Sequence, residues 1–81
     1  MDIKEIVTKY LNEELLIESE DVIESDDMAL LSSGVIDSLT TLKLVDFVEE
    51  KFLIEFEAHE VTKENLDTIK KIEAFVTDKM N

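Results

Sequence analysis

Apolar residues recur at Ile3, Ile6, Val7, Tyr10 and Leu11, separated by Lys4, Glu5, Thr8, Lys9, Asn12 and Glu13. This i, i+3, i+4, i+7, i+8 spacing predicts an amphipathic helix over residues 2–15. Asp2 and Glu5 suit a capping box at its start. Regularity is lost over residues 17–37, where Ser19, Glu20, Asp21, Glu24, Ser25, Asp26 and Asp27 alternate with single apolar residues. Ile17, Val22, Ile23, Met28, Leu30, Leu31, Val35 and Ile36 would pin such a segment to a core without making it regular. A connection of about 20 residues is long for a compact domain, and a short helix over 26–31 would relieve it. Gly34 marks a turn that needs positive φ. A second helix is predicted over 38–52, then an extended apolar stretch at 53–56 and one helical turn at 62–65 capped by Thr62. A last helix over 68–80, capped by Asp67, should bury Ile69, Ile72, Val76 and Met80. The expected fold is all-α, a small four-helix bundle (three main helices plus one short helix) with a long first loop, forming one domain over 1–81.

The second helix carries more than a core stripe. With Leu39 as zero and about 100° per residue, Leu44, Val48, Phe52 and Val45 project at roughly 140°, 180°, 220° and 240°. Those four form the buried face. Lys43, Asp46, Glu49 and Glu50 project opposite, at roughly 40°, 340°, 280° and 20°. Leu39 and Leu42, near 0° and about 300°, fall among these charges. Two readings stay open: the first loop folds over them through Val35 or Ile36, or they form a partner-docking spot with an apolar centre and a charged rim.

Composition narrows the classes of function. The 81 residues carry 21 carboxylates against 8 cationic side chains, a formal charge of −13. So acidic a chain does not match the basic face that nucleic acid requires, nor does it dock on anionic lipid. No apolar run approaches the ~20 residues of a membrane span, so no membrane insertion is expected. The absence of cysteine excludes disulfides and thiolate chemistry. The composition suits a soluble cytoplasmic domain, monomeric, that attracts positively charged partner proteins.

Candidate chemistry centres on Asp37-Ser38 at the start of the second helix. Either side chain suits an N-cap. A helix N-terminus also favours phosphate, through its free N–H groups and partial positive charge. A serine there is a sensible attachment point for a phosphodiester, but a poor nucleophile without a positioned base. No catalytic set is evident. His59, between Ala58 and Glu60, reads as a solvated surface residue. A calcium loop needs alternating oxygen ligands, a central glycine and a glutamate at the twelfth position. Neither 18–27 nor 26–37 fits, so no metal site is expected.

The run Gly34-Val35-Ile36-Asp37-Ser38-Leu39 resembles the Asp-Ser-Leu signature of the acyl carrier protein family. The helix end Val48-Glu49-Glu50-Lys51-Phe52, the segment Ile54-Glu55-Phe56 and Asn65-Leu66-Asp67-Thr68-Ile69 also resemble family features at family spacings, so the likeness spans the chain. It implies that Ser38 receives a 4′-phosphopantetheine arm from coenzyme A through a separate phosphopantetheinyl transferase. The arm's thiol would carry acyl or aminoacyl groups as thioesters between enzymes of fatty-acid, polyketide or related lipid metabolism, and the chain would not itself be an enzyme. Asp37 would help present Ser38 and contact the transferase and its metal. Leu39, Leu42, Asp46 and Glu49 would meet acyl-activating or acyl-transferring enzymes with basic faces. Lys43 and Asp46 depart from the fatty-acid members, which suggests a specialised pathway. The alternative is an acidic interaction or calcium-responsive module with no covalent cofactor. More distant is a hydrolase using Ser38.

Overall fold

The apolar stripe at the start of the chain folds as its spacing predicts. In the computed structural model, which describes residues 2–16 and 22–81, helix α1 spans Ile3–Tyr10. Asp2 caps it by accepting the Glu5 N–H at 3.2 Å. The coil then widens, and Leu11–Leu15 winds as a π-helix whose end is closed by Leu16 N–H on the Leu11 carbonyl at 2.8 Å. The reciprocal capping box forms elsewhere, between Glu57 and Glu60 of the 3₁₀ turn Ala58–Glu60. Helix α2 is Ser38–Phe52, α3 is Lys63–Leu66 and α4 is Ile69–Met80. Among the described residues there is no strand, and the fold is the expected all-α bundle.

Helices α1, α2 and α3 all pack on α4. Val7 and Leu11, then Leu44, Val48 and Phe52, then Leu66, meet Ile69, Ile72 and Val76 in one core. Each such fully buried aliphatic side chain contributes about 1.5–3 kcal/mol relative to exposure. One aromatic stack ties α1 to α2: the Tyr10 and Phe47 rings lie 3.8 Å apart and 4° from parallel. Burial pushes the Tyr10 phenol above its ordinary value, and the Glu14 and Asp46 charges add to the rise. Phe47 lies on the helix face read as charged, and the C-terminal turn of α1 half-buries it.

The first loop is irregular but anchored. Ile17 and the polar positions Ser19, Glu20 and Asp21 lie outside the described residues. Ile23, Leu30 and Ile36 are buried in the core as anchors, whereas Val22 is exposed. Asn12 holds the Ile23 backbone from both sides, accepting its N–H at 2.8 Å and donating to its carbonyl at 3.3 Å. Lys4 bonds the Asp26 carboxylate at 2.8 Å, while Lys70 N–H donates to the Asp26 carbonyl at 2.9 Å.

Four local expectations are corrected. Residues 26–31 make turns rather than a helix, because the N–H groups of Leu30, Leu31 and Ser32 point to Asp67 instead of to carbonyls one turn back. Asp67, thus engaged, does not cap α4; Thr68 does, its hydroxyl accepting Lys71 N–H at 3.0 Å. Thr62 occupies the N-cap position of α3 with no side-chain cap bond, and its carbonyl receives Asn65 and Leu66 instead. Met80, on the last turn of α4, is 53% exposed and beyond the packed stripe.

Leu53 is not extended. It closes α2 in the left-handed conformation, with φ 56° and ψ 48°, and its side chain is 89% exposed. A β-carbon is unfavourable there, and no burial offsets it. Leu53→Gly is therefore expected to stabilise the fold by about 0.5–1 kcal/mol, after allowing for glycine's greater freedom when unfolded. Urea denaturation checks this, and a lower midpoint would show that the leucine side chain contributes packing.

Four carboxyls are held below the usual carboxylate range: Asp26 chiefly by the Lys4 ammonium, Asp37 by the Thr40 N–H, Glu60 by the Glu57 N–H and Asp67 by the Ser32 hydroxyl. In the unfolded chain each returns to its ordinary value. Their contribution to stability is therefore complete above that value and is lost as pH falls through the lower folded values. The thermal midpoint should drop on acidification below about pH 4. A midpoint that keeps rising through that range contradicts these bonds.

Candidate functional site

Ser38 opens α2 and is exposed. The residue before it makes that opening rigid. Asp37 is the N-cap, in extended conformation, and its carboxylate accepts Thr40 N–H at 2.8 Å. Its carbonyl receives both the N–H and the hydroxyl of Thr41, at 2.8 and 2.7 Å. Thr41 is buried beneath this turn, and its role was not legible in a helical pattern that counts only apolar positions. The Thr40 N–H holds the Asp37 carboxyl below its ordinary value. The N–H groups of Ser38 and Leu39 belong to the first helical turn, where no helical carbonyl can receive them.

The approach to Ser38 is a closed loop. Gly34 takes φ 82° with open space where a β-carbon would stand, as its turn requires. Ile36 N–H returns to the Leu30 carbonyl at 3.1 Å, and Gly34 N–H to the Leu31 carbonyl at 3.2 Å. Asp67 receives the whole arrangement. Its Oδ1 accepts Leu30, Leu31 and Ser32 N–H at 3.2, 2.8 and 2.8 Å, and its Oδ2 accepts the Ser32 hydroxyl at 2.7 Å.

Leu39 and Leu42 are 62% and 55% exposed on the outer face of α2. The loop does not cover them: Ile36 turns into the core and Val35 packs against it. Asp46 is exposed beside them on the same helix, whereas Glu49 is half-buried, its Oε2 accepting Phe56 N–H at 2.7 Å. Asp46, Glu49, Glu50 and Glu55 line a shallow acidic groove floored by Ile54 and Phe56.

The other candidates lie apart from Ser38 in the chain's contacts. His59 is exposed on the 3₁₀ turn with its Nε2 3.9 Å from Glu57. Glu57, His59 and Glu60 bring ligand atoms within 4.8 Å of one another, but Glu60 already bonds the Lys79 ammonium at 2.9 Å. Within the 26–37 segment the acids face different partners: Asp26 meets Lys4, Asp27 meets Lys70 and Asp37 meets Thr40.

No protein-family model matches the chain, and no solved structure does. Two curated proteins from Streptococcus suis do match along their length. The D-alanyl carrier protein of strain 98HAH33 is 35% identical over 81 residues, and that of strain 05ZYH33 is 36% identical over 81 residues. In each case the match covers 100% of this chain and 99% of the relative. The chain belongs to the acyl carrier protein family. In this chain Ser38 stands exposed at a helix start capped by Asp37, with Leu39 and Leu42 exposed on the same helix. Among the described residues no helix is long and apolar enough to cross a membrane.

Proposed function

We propose that this carrier protein bears a 4′-phosphopantetheine arm on Ser38 and carries aminoacyl groups, of the D-alanyl type, between enzymes. The carrying observation is the exposed Ser38 hydroxyl at the first position of α2, in the run Asp37-Ser38-Leu39. The site fits such a group on chemical grounds. The N–H groups of the first turn would favour an attached phosphodiester, because the helix dipole there favours negative charge. Asp37 spends its carboxylate on Thr40, so it fixes the turn and keeps its remaining oxygen for a metal or a cationic group brought by the transferase. Once bound, the arm supplies a thiol for thioester carriage. Ser38 needs no base of its own, since a separate phosphopantetheinyl transferase would accept the hydroxyl proton as the serine oxygen bonds to phosphorus, the pyrophosphate P–O bond of coenzyme A breaks and adenosine 3′,5′-bisphosphate leaves.

The relatives' names support an aminoacyl cargo and lend nothing to fatty-acid or polyketide synthesis. Lys43 and Asp46 agree with partners other than fatty-acid enzymes, both standing exposed on the face that carries Leu39 and Leu42. The form we propose is a cytoplasmic, monomeric single domain, non-catalytic, met by a transferase and by an acyl-activating enzyme with basic faces.

Intact mass after incubation with coenzyme A, Mg²⁺ and a broad-specificity transferase should rise by one phosphopantetheine, and Ser38→Ala should abolish the rise. No gain, or a gain that survives the substitution, would sink the assignment. The docking surface has its own test. Leu42→Asp should raise the transferase's KM for the carrier while changing folding stability by no more than about 0.5 kcal/mol, as at other exposed positions. A cooperative loss of fold would show that Leu42 belongs to the core.

A further inference from the structure

The Leu30-Leu31-Ser32 backbone turns three consecutive N–H groups toward one point, a concavity that ordinarily takes an anion. Here the anion is built in. Asp67, from just before α4, places Oδ1 within 3.2 Å of all three and Oδ2 2.7 Å from the Ser32 hydroxyl. The Asp67 carbonyl adds a 2.6 Å bond from Leu30 N–H. The consequence reaches further than the loop. Leu30 is fully buried, its carbonyl holds Ile36 N–H at 3.1 Å, and Ile36 is itself 2% exposed. Ile36 is followed directly by Asp37, the cap of α2, and then by Ser38. A carboxylate 29 residues beyond Ser38 in sequence is thus linked to it through Leu30 and Ile36 alone.

We propose that Asp67 is a positioning residue for Ser38: it fixes the loop so that the serine stands in the one arrangement a modifying enzyme accepts. The proposal rests on Ser38 being the attachment site. Releasing the clamp leaves the helices packed, since Leu44, Val48, Ile69, Ile72 and Val76 hold them independently. It spreads the loop over several conformations and so lowers the fraction competent to dock. A smaller competent fraction weakens apparent binding and leaves the chemical step alone.

The test compares the full-length apo-protein with Asp67→Ala, Asp67→Asn and Ser32→Ala. Two readouts are taken: amide hydrogen exchange by NMR, and the kinetics of arm transfer from coenzyme A by a broad-specificity transferase. Asp67→Ala should speed exchange at Leu31 and Ser32 while sparing Leu44 and Val48. It should raise KM for the carrier by about tenfold with kcat within about twofold, the scale of one charge-assisted hydrogen bond. Asp67→Asn should fall between, because an amide oxygen still accepts the N–H groups but the Ser32 hydroxyl loses its charged acceptor. Added formate, a free carboxylate small enough for the vacated place, should restore protection and lower KM in Asp67→Ala. Chloride at equal ionic strength should not. If Asp67→Ala does not fold, Ser32→Ala carries the same comparison with one donor removed. Unchanged exchange, or faster exchange with wild-type KM, overturns the proposal. A wild-type chain that gains no mass at all fails the attachment reading instead, which sets that failure apart.

Discussion

Four donors converge on the Asp67 carboxylate, the constraint on which, by our proposal, the geometry of the site depends. From Leu16 to α2 the chain has no helix among its described residues, so its backbone groups need partners from elsewhere. Asp67 provides them for Leu30, Leu31 and Ser32 from just before α4, the helix against which α1, α2 and α3 pack. Asp67 ties the Leu30–Ser32 part of the loop to the core, as Asn12 and Lys4 tie its earlier part. At its far end Ile36 enters the core and Asp37 locks the first turn of α2. Ser38 is left exposed on a fixed platform, with no need for regular structure before it.

The excess of negative charge acquires a meaning beyond exclusion. A carrier protein must meet several enzymes in turn and leave each of them. If its partners present basic faces, as we propose, a chain of net charge −13 would gain fast, weak encounters with them through long-range attraction. On the same proposal the two exposed leucines of α2 would supply a small apolar contact inside that field. Not every carboxylate is free for this work. Glu49 holds the Phe56 backbone, Glu60 pairs with Lys79, and Asp26 pairs with Lys4, so part of the acidity is structural.

Features set by local spacing could be read from the sequence, and features set by distant partners could not. The stripe of α1, the buried face of α2, the positive φ of Gly34 and the Asp37 cap follow from periodicities and turn chemistry within a few residues. Asp67 precedes Thr68-Ile69 as a cap would, and nothing nearby reveals that its partners lie 35 to 37 residues earlier. The same holds for Asn12, which reads as a polar position on a helix and serves as a clasp for Ile23. Phe47 sits among charges on the helical wheel because its partner Tyr10 belongs to another helix. The exposure of Leu39 and Leu42 needed the structure as well, since only the path of the loop decides whether they are covered.

The most direct test of the account is tandem mass spectrometry of the Ser38-containing peptide from protein isolated, without added enzymes, from the cells that make it. The account predicts a phosphopantetheine on Ser38, with part of the population carrying an amino acid as a thioester. Unmodified Ser38 throughout, or the arm on Ser32 or Ser33 instead, would contradict it.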